Sequence, residues 1–154
     1  MVLNNLDQFC SLLTGAIPLS SDKGAPRYTI RAATTNAGLN LSFPQHSDSP
    51  HSSSAPVLDI YGNASNGSAK LLLPSSFEGI FDVSTSPAYQ ADFSSASSSG
   101  NDPLGLGRER HIDFMTTTQS WKEGRVYWGD LDDERELGRV ELSTSNAPAS
   151  LHIQ

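Results

Sequence analysis

Thr34-Thr-Asn-Ala-Gly-Leu-Asn-Leu-Ser-Phe43 and Thr144-Ser-Asn-Ala-Pro-Ala-Ser-Leu-His-Ile153 align without a gap. Two further segments join them, Ala64-Ser-Asn-Gly-Ser-Ala-Lys-Leu-Leu-Leu73 and Ser84-Thr-Ser-Pro-Ala-Tyr-Gln-Ala-Asp-Phe93. In each, a small polar residue and an Asn or Ser lead into a Gly, Pro or Ala turn. An alternating stretch follows. Its apolar columns hold Leu39, Leu41 and Phe43; Ala69, Leu71 and Leu73; Tyr89, Ala91 and Phe93; Ala149, Leu151 and Ile153. Between them stand Asn40 and Ser42, Lys70 and Leu72, Gln90 and Asp92, Ser150 and His152, where only Leu72 breaks the rule. A period of two with one apolar face describes a strand half-buried against a core, whereas a helix would spread these residues around its circumference.

A strand also precedes each turn. Tyr28–Ala32, Val57–Tyr61, Ile112–Phe114 and Val140–Leu142 alternate. Phe81–Val83 alternates with its parity one residue out, which a shorter turn or a bulge would produce. Thr116–Trp128 reads as a fifth, looser copy with a longer turn and Val126 and Trp128 inward. The spacings between copies fit a unit of about 20 residues stretched by intervening loops. Asn and Gly tolerate positive φ and Asx or Ser side chains bond the local backbone, so Asn66-Gly67 is the clearest turn.

The expected fold is all-β: a solenoid-like stack of short strands in units of about 20 residues. A two-sheet antiparallel β-sandwich is the alternative, because alternation assigns faces and leaves open whether neighbouring strands run parallel. Residues 28–154 form a single domain behind a flexible flank at 1–27. Within that flank Leu6, Phe9 and Leu13 would share one face of a short helix over Asn5–Leu13. Three loops, at 44–56, 94–107 and 130–138, are too polar or too poor in apolar residues to offset chain entropy and are read as mobile.

Composition narrows the function classes. The chain has 154 residues, 24 of them Ser, with 10 basic and 17 acidic side chains for a formal charge of −7. Five carboxylates and one arginine between Asp130 and Glu136 supply over half of that charge. An acidic surface disfavours nucleic acid as a partner. No apolar run approaches the roughly 18 residues of a membrane helix. The one cysteine, Cys10, makes neither an internal disulfide nor a thiolate cluster. The N-terminus lacks a basic lead and makes a poor secretory signal, which favours an intracellular chain over a secreted or cell-wall one.

The strand, Ser-Asn-Gly-Ser turn, strand organisation resembles an uncharacterised fungal, mainly basidiomycete, domain family built on Ser-Asn-Gly-Ser repeats. That family is similar to bacterial adhesin-like domains of the β-solenoid kind. The resemblance rests on Ala64–Ser68 with Lys70–Gly79, Asp82–Ser86, Gly124–Gly129 and Val140–Asn146, and covers about residues 28–154. Pro87-Ala88 and Ala147-Pro148 depart from the Asn-Gly turns. It implies an adhesin-like fold and transfers no catalytic residue.

Candidate sites are few. Tyr61, Trp121 and Tyr127 are candidate ligand-binding residues, since exposed aromatics stack on sugar rings or pack on a partner; cross-strand packing is the plainer reading. Asp130, Asp132 and Asp133 are candidate metal ligands, although neither EF-hand nor calcium-roll spacing is present and a solvated loop accounts for them. His46, His51, His111 and His152 have no metal-ligand spacing. No Gly-x-Ser-x-Gly elbow or phosphate loop occurs, so no catalytic residue and no cofactor is assigned. Asn40, Asn63 and Asn66 match the N-glycosylation pattern, which doubles as turn chemistry. The expected function is a non-enzymatic, adhesin-like binding or structural module for a protein or glycan surface. The alternative is a carbohydrate-binding or carbohydrate-active β-solenoid, for which Asp59, Asp92, Asp113 and Glu141 are the outward carboxylates.

Overall fold

The computed structural model describes residues 2–3, 10–13, 26–43, 56–96, 102, 105–130 and 136–154. Their regular structure is entirely β, as the alternation predicts: β1 (Val2–Leu3), β2 (Cys10–Leu13), β3 (Arg27–Thr34), β4 (Leu39–Ser42), β5 (Val57–Ala64), β6 (Ala69–Leu73), β7 (Gly79–Ser84), β8 (Ala91–Ser95), β9 (Arg110–Thr117), β10 (Trp121–Trp128), β11 (Gly138–Thr144) and β12 (Ala149–Ile153). They form a five-stranded sheet, β1-β4-β6-β12-β8, and a seven-stranded sheet, β2-β3-β5-β11-β7-β10-β9.

Each gap-free segment crosses from one sheet to the other. The strand before the turn lies in the seven-stranded sheet, and the strand after it lies in the five-stranded one. The central neighbours run parallel: β3 with β5, β5 with β11 and β11 with β7 in one sheet, β4 with β6, β6 with β12 and β12 with β8 in the other. Antiparallel pairs sit at the margins, where β1, β2 and the β9–β10 hairpin are added. The antiparallel arrangement of the sandwich alternative therefore holds only there. The order also departs from chain order, because the last segment lies between the second and the third.

Parallel pairing stacks the turns. Asn146 Nδ2 donates to Asn66 Oδ1 at 2.7 Å, and Asn66 Nδ2 donates to Asn36 Oδ1 at 2.9 Å, a ladder of three amides. Beside it the Ser65 and Asn66 backbone N–H groups donate to the carbonyls of Thr34 and Thr35. Thr34 and Thr144 brace their own turns by donating to the carbonyls of Ala37 and Ala147. Gly67 has to be glycine here, since a Cβ would stand 2.3 Å from the Ala37 carbonyl carbon.

The parity anomaly at Phe81–Val83 comes from a turn one residue longer than its neighbours, and neither from a shorter turn nor from a bulge. Ser84 pairs with Ser143 and Ala91 with Ala149, so the chain takes seven steps from Ser84 to Ala91 and six from Ser143 to Ala149. The extra residue belongs to a β-turn with Pro87 at its second position, closed by the Tyr89 N–H donating to the Ser86 carbonyl at 3.0 Å. Ala91, Phe93 and Ser95 thus occupy the inward columns, in place of Tyr89, Ala91 and Phe93.

Other expectations change as well. Thr116–Trp128 is not a copy that crosses between sheets. Thr118 and Trp121 close a tight turn, and β9 and β10 form an antiparallel hairpin within one sheet, with a bulge between Glu123 and Gly124. Cys10–Leu13, the end of the helix candidate, is a strand paired with Arg31–Thr34; Asn5–Phe9 lie outside the described residues. Edge pairing satisfies that backbone where an isolated short helix would not be stable. Ser94 and Ser95, at the start of the 94–107 loop, belong to β8, and Gly138, at the end of the 130–138 loop, opens β11.

The core lies between the sheets. Leu39, Leu41, Leu71, Leu73, Leu151 and Ile153 on one side meet Ile60, Val140, Leu142, Phe81 and Val83 on the other. At the β8 margin Phe81 stacks on Phe93 (4.3 Å between centroids), and Phe114 meets both edge-on. Gly124 makes room for that cluster, since a Cβ there would stand 2.8 Å from the Phe81 ring. Arg110 is buried under this end. Its guanidinium donates to Ser95 Oγ and to the carbonyls of Ala96, Ser75 and Gln154, and lies over the Trp128 ring.

Candidate ligand-binding face

With one face of each strand committed to the core, the outward residues of the seven-stranded sheet fall into rows fixed by register. One row runs Arg31, Tyr61, Glu141, Asp82, Glu123. A second runs Ala33, Asn63, Ser143, Ser84, Trp121. A third runs Thr29, Asp59, Arg139, Ile80, Arg125, Asp113. Neighbours within a row stand about 5 Å apart.

Tyr61, Trp121 and Tyr127 all project from this face. Trp121 is 40% exposed, while Trp128 on the same strand but the opposite parity is fully buried. Tyr61 carries the Arg31 guanidinium over its ring, 4.2 Å from the centroid. Tyr127 donates to Asp113 Oδ2 at 3.1 Å and stacks on His111; loss of water and the Asp113 carboxylate push its phenol pKa up.

The four outward carboxylates named from sequence are not brought together. Asp59 is a structural clip, accepting from Arg27 at one oxygen and from the Arg139 backbone N–H at the other. Asp113 accepts from Arg125 and Tyr127. Asp92 lies on the other sheet. Glu141 accepts from Arg139 Nε at 2.6 Å, and beyond it in the row come two carboxylates that sequence reading did not single out, first Asp82 on the adjacent strand and then Glu123. Burial pushes the Asp82 carboxyl pKa above its ordinary value; a hydrogen bond from Trp121 pulls it down, Glu123 and Glu141 push it up, and Arg139 opposes them.

Beside this row the face dips into a cup of about 360 Å³ lined by Arg31, Ala33, Tyr61, Asn63, Glu141 and Ser143, with Ala32 and Gly62 at its floor. Asn63 Nδ2 donates to Ser143 Oγ at 2.8 Å across its wall. The volume lies at the small end of ligand pockets, about 300–1,000 Å³.

The remaining candidates are dispersed. Asp130 is exposed just beyond β10, and Asp132 and Asp133 lie outside the described residues. Among the described residues no three His, Cys, Asp or Glu side chains are placed to hold a metal ion, and no helix is long and apolar enough to cross a membrane. His152 shares a hydrogen bond with Ser94. Of the three glycosylation-type asparagines, Asn66 is in the ladder and Asn63 is bonded to Ser143.

No family model matches this chain, and neither a curated protein nor a solved structure is similar to it.

Proposed function

We propose that the protein is a non-enzymatic, adhesin-like binding module built on a solenoid-like stack, and that the outer face of its seven-stranded sheet is the ligand-binding surface. One observation carries this reading: the three candidate aromatics, which sequence scatters over β5 and β10, share that face, next to a polar cup. Aromatic rings beside fixed amide, hydroxyl and carboxylate groups suit a hydroxylated polymer or a polar protein surface. The resemblance to the fungal Ser-Asn-Gly-Ser family supports the same reading. Trp121 reports on it directly. Titration with a soluble cell-surface polysaccharide is expected to shift tryptophan emission saturably, and Trp121→Phe, which leaves the buried Trp128, is expected to abolish the shift. Polysaccharides and candidate protein partners that leave the emission unchanged would reject the reading.

A carbohydrate-active reading is favoured by one different feature, the row Glu141, Asp82, Glu123. A carboxyl with a raised pKa, flanked on the adjacent strands by two further carboxylates, groups the residue types that acid–base glycosidase chemistry uses. This reading expects release of reducing ends from a bound polysaccharide and at least a hundredfold loss of that rate in Asp82→Asn; binding without release rejects it.

A further inference from the structure

Arg31 differs from the other described arginines. Arg27, Arg108, Arg125 and Arg139 each pair with a carboxylate, and Arg110 is buried against carbonyls and a hydroxyl. Arg31 makes no ion pair among the described residues, is exposed, and is held over the Tyr61 ring at the rim of the cup. A guanidinium resting on an aromatic face keeps its planar donor edge available and loses less freedom on binding. The one carboxylate in the cup, Glu141, is already taken by Arg139.

We infer that the cup seats an acidic sugar residue of the uronate type, with its carboxylate paired in two-pronged fashion to Arg31. The ring hydroxyls then meet Asn63, Ser143 and the second oxygen of Glu141, and the apolar edge of the ring packs beside Tyr61. This rests on the seven-stranded face being the binding surface and names the chemistry that it selects. Asn63, Ser143 and Glu141 clustered beside the cation suit a sugar acid, which carries a hydroxyl on nearly every ring carbon next to its carboxylate.

The test is a nuclear magnetic resonance titration of the full chain with glucuronate, glucose and acetate, following Arg31 Nε–H, the Asn63 side-chain amide and the Ser143 backbone amide. Glucuronate is expected to shift all three saturably, with glucose and acetate at least tenfold weaker. Arg31→Gln, exposed and therefore tolerated by the fold, is expected to weaken glucuronate at least tenfold with the remaining spectrum unchanged. Absence of a saturable shift, equal binding of acetate, or an unchanged response in Arg31→Gln would each overturn the inference. Its failure is separable from failure of the binding face itself, since Trp121 emission would still report a neutral polysaccharide.

Discussion

Asp82 stands between Glu141 and Glu123 with only Arg139 and the Trp121 N–H to offset them. Its pKa in the folded chain lies above its ordinary value of 3.8, so ionisation costs the folded state more than the unfolded one. The stability tied to this group is therefore fully present below the unfolded pKa and is lost as pH rises through the raised folded one. Asp82→Asn, which keeps an acceptor for Trp121, is expected to raise Tm at pH 7, and the gain should shrink toward zero as pH falls below about 4. Thermal melts across that range check it; a lower Tm at pH 7, or a gain independent of pH, would contradict it. Asp82 also shows what sequence hides. The alternation of Phe81 and Val83 was legible, but the one-residue excess in the Pro87 turn shifts its phase against the other segments. That masks Asp82 as the row neighbour of Glu141. Glu123 is hidden for a related reason, since its hairpin turn resembles a loose copy of the repeated segment.

At the scale of elements, the turns that join the sheets are held to one another as well as to their own strands. Asn66 is the middle rung of the amide ladder, accepting from Asn146 and donating to Asn36. Asn66→Ala removes both bonds and is expected to cost about 1–2 kcal/mol. Asn40→Ala, on the outward side of β4, should stay within about 0.5 kcal/mol. Urea denaturation of the two variants measures the difference, and equal midpoints would show that the ladder contributes nothing. The column of Asn36, Asn66 and Asn146 was readable from the aligned segments, as were the inward Leu41, Leu71 and Leu151. Which segments become neighbours was not, because a period of two assigns faces and carries no information about strand order. The hydrogen bonds that set β11 between β5 and β7 link residues far apart in the chain, such as Asn63 with Ser143.

Across the whole molecule, the two outer faces differ in kind. The five-stranded sheet presents Asn40, Lys70, Ser150 and Asp92 in one row and Ser42, Leu72, His152 and Ser94 in the next. The seven-stranded sheet presents the aromatics, the cup and the carboxylate row. Composition showed an acidic, Ser-rich chain without showing that its chemistry is sorted onto opposite sides. Tyr61, Trp121 and Tyr127 were identifiable singly, but their common face depends on a sheet order that only the fold supplies. The most direct measurement is therefore a glycan-array comparison of two double variants, Tyr61→Ala with Trp121→Ala on one face and Lys70→Ala with Asp92→Ala on the other, each verified as folded by circular dichroism. Binding reduced at least tenfold by the first pair and unchanged by the second is the predicted result; binding that survives the first pair and falls with the second would contradict the assignment of the face.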